Sequence, residues 1–439
     1  MAGTRYLIVG GGLAGASAAE AIRARDREGR IVLVSDERHL PYDRVPLSKE
    51  YMRGELTREN LLVQTPEFYE QERVEVLLSH RVEKLNLDAR TAHLDNDQSL
   101  RFDRLLLATG SRPRRLAIAG GDLKGIHYLR TLDDSDAIQA AISNASRAVI
   151  VGGGFIGCEI AAACVQKGLD TTIIEVGPSL LSVPLDRETA EWITSHLAKQ
   201  GVRILTNETA ARFIEMDGRA GGVETKTGMR VEGDFVAVGI GVAPNVELAQ
   251  EAGLPIDRGI IVNDRLEVND TGVYAAGDVA RFYSPIFNKH LRLEHYDIAV
   301  KHGQLAGANM AGAHERFTEL PYFFSFMFDL RTEVWGDATQ RDLIIRRGPL
   351  QVTDRGGFAQ FYLNGGYVRA YISVNRPLEE AEAAKQLILR RQSIDDPSRL
   401  GNESTELDSL LNQHDKAGTW PQSMWLPTVS PFDSLSSSI

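Results

Sequence analysis

The first three quarters of the chain repeat one pattern. Short runs that are apolar at every position (YLIV, IVLV, RLLLA, AVIV, TTII and FVAVGI) are separated by stretches with helical spacing. A strand that is apolar throughout is buried on both faces, and such strands alternating with helices build parallel sheets covered by helices. From Leu320 onward the rhythm changes: PYFFSFMFDL, DLIIRR, GFAQFYL and YVRAYISV mix polar with apolar positions. That alternation predicts an antiparallel sheet, and the following PLEEAEAAKQLILRR predicts a helix. Beyond Gly401 the chain is rich in Ser, Asn, Asp and Pro.

Two segments occur twice. Ile8-Val9-Gly10-Gly11-Gly12-x-x-Gly15 recurs 142 residues later as Ile150-Val151-Gly152-Gly153-Gly154-x-x-Gly157. DRLLLATGSRP, which contains Ala108 and Gly110, is echoed in the same order by DFVAVGIGVAP, which contains Gly241. One nucleotide-binding design is thus used twice. In a strand–GxGxxG–helix unit the first glycine allows the tight turn, the second admits a pyrophosphate to the backbone, and the third lets helix and strand pack closely. The anion sits at the positive end of the helix. An acid at the end of the next strand holds a ribose; Asp36 stands 21 residues after Gly15, and Glu175 stands 18 after Gly157. Glu175 would accept hydrogen bonds from a 2′-hydroxyl and repel a 2′-phosphate, which favours NAD over NADP. Two such sites imply two dinucleotides, most economically one tightly held flavin and one exchangeable nicotinamide.

Composition narrows the reading further. The 60 acidic and 49 basic residues give a net charge of −11, which argues against a nucleic-acid or anionic-membrane binder. No stretch approaches the ~18 apolar residues of a membrane span. The glycines at the first fingerprint and the early Glu20 argue against a signal peptide, so a cytoplasmic location is expected. The two cysteines, Cys158 and Cys164, lie six residues apart on a predicted helix. That places them about 600° apart around the axis, on different faces, as packing residues. No metal or hydrolase motif is present.

Together PYDRVPLSKEY, LLLATGSRP, GGGFIGCEIA, GVYAAGDVA and LEHYDIAVKHGQLAGANMAG resemble the two-dinucleotide flavoprotein superfamily. The branch resembled is that of oxygenase-type ferredoxin reductases and apoptosis-inducing-factor-like NADH oxidoreductases, over roughly residues 5–410. The fold class implied is α/β: two Rossmann-like three-layer dinucleotide-binding domains (glutathione-reductase-like) plus a C-terminal α+β domain with an antiparallel sheet. The divisions expected are a discontinuous FAD domain over 1–112 and 246–317, an NAD domain over 113–245, a C-terminal domain over 318–400 and a tail over 401–439.

The resemblance also implies roles. Gly10, Gly12, Gly15, Asp36, Arg44, Lys49, Ala108, Gly110, Arg130, Asp278 and Tyr296 would border FAD. Gly152, Gly154, Gly157, Glu159, Glu175, Gly241, Glu294 and His295 would border NAD. Lys49 and Glu159 would form a catalytic pair near the flavin N5, each compensating the other's desolvation. Residues 41–51 contain no cysteine, whereas dithiol members of the superfamily carry a redox pair there. The family's Trp-Ser near the nicotinamide reads Phe324-Ser325 here, and the aromatic after Glu-His is Tyr296. The activity implied is hydride transfer from NADH to FAD, then delivery of single electrons to a carrier such as ferredoxin or rubredoxin, by a monomer or homodimer. The alternatives are an NADH-responsive flavoprotein of slow turnover, or a reductase of a small organic radical or quinone. Arg112, Arg114 and Arg115, with Arg346-Arg347 and Arg390-Arg391, are candidates for a basic landing patch. Trp420, Trp425 and Phe432 are candidate docking aromatics in the tail.

Overall fold

The computed structural model describes residues 3–353 and 356–411. The first sheet runs Val273–Ala275, Arg104–Leu107, Arg5–Val9, Arg30–Val34, Val74–Leu77, all parallel. The second runs Val202–Leu205, Asp170–Ile174, Arg147–Val151, Phe235–Val238, Ile126–His127, also all parallel. All six apolar runs are strands of these sheets, and their central residues Ile8, Leu33, Leu106, Ile150, Ile173 and Val236 are fully buried. Val273–Ala275 completes the first sheet from beyond the whole of the second. The second unit is therefore an insertion into the first.

Both echoes have matching jobs. Asp103 accepts the backbone N–H of Arg5 at 2.9 Å and its guanidinium at 2.7 Å. Asp234 accepts the N–H groups of Ser146 and Arg147 at 2.7 and 2.9 Å. Each aspartate thus fixes the start of the fingerprint strand beside it. The ends of the two echoes pair with each other: Ser111–Pro113 runs antiparallel to Val242–Pro244 and forms the ribbon between the two units.

The helix Tyr296–Met310 crosses the first fingerprint helix, Leu13–Arg25, at close range. A Cβ on Gly303 would lie 2.3 Å from the carbonyl of Ala14, and one on Gly307 would lie 2.5 Å from that of Ala18. These two glycines, one turn apart, set the approach that brings Glu294, His295 and Tyr296 to the fingerprint.

The C-terminal sheet is antiparallel, in the order Tyr322–Met327, Leu330–Gly336, Tyr367–Val374, Phe358–Asn364, Leu343–Arg347. The helix Leu378–Leu389 covers one face with Ala384, Leu387 and Ile388. The strand Leu330–Gly336 escapes the sequence pattern because its polar Thr332 and Glu333 are buried with its apolar residues. The packed domain runs past the expected boundary at 400. Arg347 donates to the carbonyls of Asn402 and Thr405 at 2.6 and 3.0 Å, while Leu400, Leu407 and Leu410 are buried. Trp420, Trp425 and Phe432 lie outside the described residues.

Candidate active site

A cavity of about 800 Å³ opens where the three units meet. Gly10 and Gly12 reach it from the first fingerprint, and Ala108 and Gly110 from the first echo. Arg44, Lys49, Arg130, Asp278, Glu294, His295 and Tyr296 complete that side. Phe155, Ile156 and Glu159 face it from the second fingerprint helix, and Tyr322, Phe323 and Phe324 from the C-terminal edge strand.

The glycines divide by physical reason. Gly10 has φ +123°, and a Cβ there would sit 2.1 Å from the Ala108 carbonyl; a Cβ on Gly15 would sit 2.1 Å from the Gly10 carbonyl. Gly152 and Gly157 repeat this, with 2.4 Å to the Gly239 carbonyl and 2.0 Å to the Gly152 carbonyl. The turn itself requires those four. Gly12 and Gly154 are different: a Cβ on either would meet no protein atom within 4 Å. Each is the N-cap of its helix, and neither helix has a side-chain cap. Thr131 and Asp186 cap their helices, whereas Tyr296–Met310 and Leu378–Leu389 also start without a side-chain cap but on residues that carry a side chain. The bare backbone and free N–H groups at Gly12 and Gly154 suit an anion from outside the chain.

Lys49 and Glu159 form an ion pair between two units. Lys49 Nζ lies 2.8 Å from Glu159 Oε2, with side chains only 7% and 4% exposed. Glu159 also accepts from Ser48 Oγ, and from Ser325 Oγ at 2.6 Å. One carboxylate on the inserted unit is therefore gripped by the first unit and by the C-terminal domain. Charges this deep persist because they are paired and their remaining lone pairs are occupied.

A second network lines the opposite wall. Arg44 donates to Glu37 at 2.5 Å and to the Arg130 carbonyl at 2.7 Å. Arg130 donates to Asp278 at 2.9 Å, and Ser111 Oγ donates to the same oxygen at 2.6 Å. Asp278 belongs to a single 3-10 turn, Gly277–Val279. His295 precedes the helix Tyr296–Met310, and its ring lies 4.7 Å from Phe323, which meets Phe155 edge-on at 4.9 Å. Burial pushes the His295 imidazolium down to about 4. Its Nδ1 is buried without a protein partner.

Other expected residues stand apart. Gly15, Gly152, Gly154, Gly157 and Glu175 lie outside the cavity lining, and Gly241 stands just before the ribbon strand Val242–Pro244. Glu175 accepts the N–H groups of Gly153 and Gly177 at 2.5 and 2.6 Å. Its counterpart by strand register in the first unit is Ser35. Asp36 follows one residue later, at the exposed rim, 3.1 Å from Arg81. Glu37, Ser48, Ser111 and Asp297 also reach the site; the last three lie within the segments PYDRVPLSKEY, LLLATGSRP and LEHYDIAVKHGQLAGANMAG, but those motifs do not single them out. The arginine candidates for a landing patch are mostly engaged. Arg112 pairs with Glu247 at 2.5 Å, Arg114 donates to the Val242 carbonyl at 3.1 Å, and Arg115 lies over Tyr128. Arg346 pairs with Glu188 at 2.5 Å, Arg347 is buried, and Arg391 bonds the Pro285 and Ile286 carbonyls. Cys158 and Cys164 are both fully buried, and burial pushes both thiols up. Among the described residues no helix is long and apolar enough to cross a membrane.

Comparison with known proteins places these features in a lineage. Residues 4–303 match the family "Pyridine nucleotide-disulphide oxidoreductase", and residues 322–411 match "Reductase C-terminal". The chain is 35% identical to putidaredoxin reductase of Pseudomonas putida, over 93% of this chain and 97% of the relative. It is 38% identical to the ferredoxin–NAD(+) reductase component of the biphenyl dioxygenase system of Paraburkholderia xenovorans, over 92% of this chain and 97% of the relative. It is also similar to the reductase in the crystal structure of the covalent putidaredoxin reductase–putidaredoxin complex. The TM-score is 0.88 at 34% identity, covering 93% of this chain and 98% of that one. With the family match spanning both nucleotide-binding units, the chain belongs to the pyridine nucleotide-disulphide oxidoreductase family.

Proposed function

We propose that the chain is an FAD-dependent NADH oxidoreductase that passes electrons singly to a small carrier protein such as a ferredoxin or rubredoxin. The observation that carries this is the pair Gly12 and Gly154: two glycine helix starts without a side-chain cap, each with no protein atom within 4 Å of where a Cβ would stand. The relatives support the carrier class, since their names are ferredoxin, putidaredoxin and rubredoxin reductases. The cytoplasm is the compartment that suits the reading.

The residues present fit both groups. Gly12 and the first helix start would take the FAD pyrophosphate, with Arg44, Arg130 and Asp278 along the cavity wall. Gly154 would take the NAD pyrophosphate, and Glu175 the adenosine ribose. Bound FAD supplies the ability to accept a hydride and release electrons one at a time. Lys49 keeps a cation at the wall, which favours negative charge developing there. Glu159 fixes that cation and, through Ser48 and Ser325, the relative placement of three units. His295 stays neutral beside Phe323 and Phe155, so this wall is apolar and uncharged where a nicotinamide ring would stack. Hydride transfer needs only this positioning, with no side-chain acid or base.

The test is anaerobic titration of the purified yellow protein with NADH and with NADPH, followed by carriers. The expected result is bleaching of the flavin by NADH in preference to NADPH, then cytochrome c reduction that depends on added ferredoxin or rubredoxin. A colourless protein that takes up no flavin refutes the proposal. So does a bleached protein that no carrier discharges.

A further inference from the structure

Each NADH oxidised delivers a hydride, which is one proton and two electrons. Carriers that take one electron apiece remove only the electrons, so one proton per turnover has to leave the cavity. Under the function proposed above, that proton passes through a group in the cavity wall before it reaches solvent.

Among the described residues, seven carboxyl groups line the cavity: Asp36, Glu37, Asp134, Glu159, Asp278, Glu294 and Asp297. Five are tied to donors that protonation would leave stranded, and the sixth, Asp36, lies with Arg81 at the exposed rim, where water solvates both. Arginines hold Asp36, Glu37, Asp278 and Glu294 at 3.1, 2.5, 2.9 and 2.5 Å. Asp134 accepts the backbone N–H groups of Arg130 and Thr131 at 3.0 and 2.8 Å. Protonating Glu159 would orphan the buried Lys49 ammonium, which is strongly unfavourable.

Asp297 is bound differently. Its ion-pair partner is Lys301, one turn along the same helix, with Nζ 3.0 Å from Oδ2. Lys301 Nζ also lies 2.9 Å from Glu319 Oε2, and Glu319 is about one-third exposed. If Asp297 takes a proton, Lys301 keeps a carboxylate partner and no buried charge is stranded. The groups facing Asp297 are Tyr296 and Lys301 on its own helix, Glu319 ahead of the edge strand, Tyr322 on that strand, and Lys385 on the helix Leu378–Leu389. Burial raises the Asp297 carboxyl above the usual range, outweighing the lysines.

We propose that Asp297 receives the proton left in the cavity when electrons depart singly and passes it to solvent, while Lys301 shifts its charge onto Glu319. Two electrons leave one at a time to the carriers, and the proton that arrived with the hydride would rest on the Asp297 carboxylate and then be lost to water, which returns Asp297 and Lys301 to their starting pair. Glu319 is a positioning residue in this scheme, because it holds Lys301 while Asp297 is neutral.

The holoenzyme is reduced with one equivalent of NADH under anaerobic conditions. It is then mixed with ferricyanide, a one-electron acceptor, in weak buffer containing a pH-indicator dye. Flavin colour and proton release are followed together. The unaltered protein is expected to release one proton per flavin reoxidised. In Asp297→Asn, reoxidation and proton release slow by about tenfold, below the ~10²–10⁴ of a group acting directly at the reacting atom, because water still enters the cavity. The solvent deuterium effect on reoxidation rises, the loss in reoxidation exceeds any loss in bleaching by NADH, and Asp297→Glu restores the rate. In Glu319→Gln, Lys301 serves Asp297 alone, so the acid limb of the reoxidation pH profile moves to lower pH. Normal reoxidation in Asp297→Asn with normal bleaching overturns this inference alone. An equal loss in bleaching and reoxidation, unrestored by glutamate, assigns Asp297 to packing and also overturns it. An unmoved limb in Glu319→Gln overturns the charge exchange. Failure of NADH to bleach the unaltered protein would instead remove the function on which the inference rests.

Discussion

Replacing Lys49 by methionine is the sharpest test of how the three units are held together. The substitution keeps the length and apolar stem of the side chain but removes the ammonium 2.8 Å from Glu159. Breaking a buried ion pair from one side costs about 3–5 kcal/mol. Ser48 and Ser325 still donate to the carboxylate, and hydrogen bonds to a charged group contribute about 1.5–3 kcal/mol each. The lower end, about 3 kcal/mol, is therefore expected. Glu159→Gln alone strands the lysine and should cost a similar amount. The double variant buries no charge and keeps both serine bonds. Its cost should fall below the sum of the singles by about 2 kcal/mol, a coupling typical of residues in direct contact. The assay is urea unfolding at fixed excess FAD, because ligand concentration shifts apparent stability. Flavin fluorescence and tryptophan emission must give coincident transitions before a free energy is extracted. A coupling under about 0.5 kcal/mol, the scatter seen for independent sites, would refute the claim that this pair is interdependent.

Two further predictions separate roles that look alike in the sequence. Gly15→Ala places a methyl 2.1 Å from the Gly10 carbonyl and should give little soluble protein, whereas Gly12→Ala meets no protein atom within 4 Å. The Gly12 variant should fold normally by circular dichroism yet bind FAD at least about tenfold more weakly, ~1.4 kcal/mol; full flavin occupancy in it would contradict the assigned anion seat. His302 is fully buried between Phe282 and Phe317, neither ring nitrogen has a partner, and burial lowers its imidazolium to about 3. His295 is lowered likewise, to about 4. Below the unfolded value of ~6.5 the unfolded chain binds protons that the folded chain refuses, so stability falls with acid through this window, by up to about 1.4 kcal/mol per pH unit for each histidine. His302→Phe should leave stability at pH 8 nearly unchanged and reduce the loss between pH 6.5 and about 3. An unchanged slope in unfolding measured across that range would show that His302 titrates normally.

The parallel sheets were legible because burial on both faces leaves one solution, an unbroken apolar run. The repeated fingerprint disclosed the double design for a related reason: a tight turn against a carbonyl tolerates only glycine, as Gly10 and Gly152 show. The strand Leu330–Gly336 was not legible, since Thr332 and Glu333 read as surface residues and are buried by the packing of other elements. Ser325 was marked by resemblance as lying near the nicotinamide, but its partner was not legible. Its hydroxyl matters only because it meets a carboxylate 166 positions earlier, and no local pattern encodes such a distance.

The arginines show the converse. Arg112, Arg114 and Arg115 look like a patch when counted along the chain. Folding sets Glu247, the Val242 carbonyl and the Tyr128 ring against them in turn. A run of like charge records where cations start, whereas a docking surface depends on which remain unpaired. For the same reason Asp36 and Glu37, adjacent in sequence, part company: one stays at the rim, while the other is enclosed by Arg44 and Tyr42. Spacing identifies the carboxylates that can reach a nucleotide. The surrounding cations then decide which of those are committed, which is why a lysine shared between two acids makes Asp297 the exception in a cavity whose other enclosed carboxyls are committed.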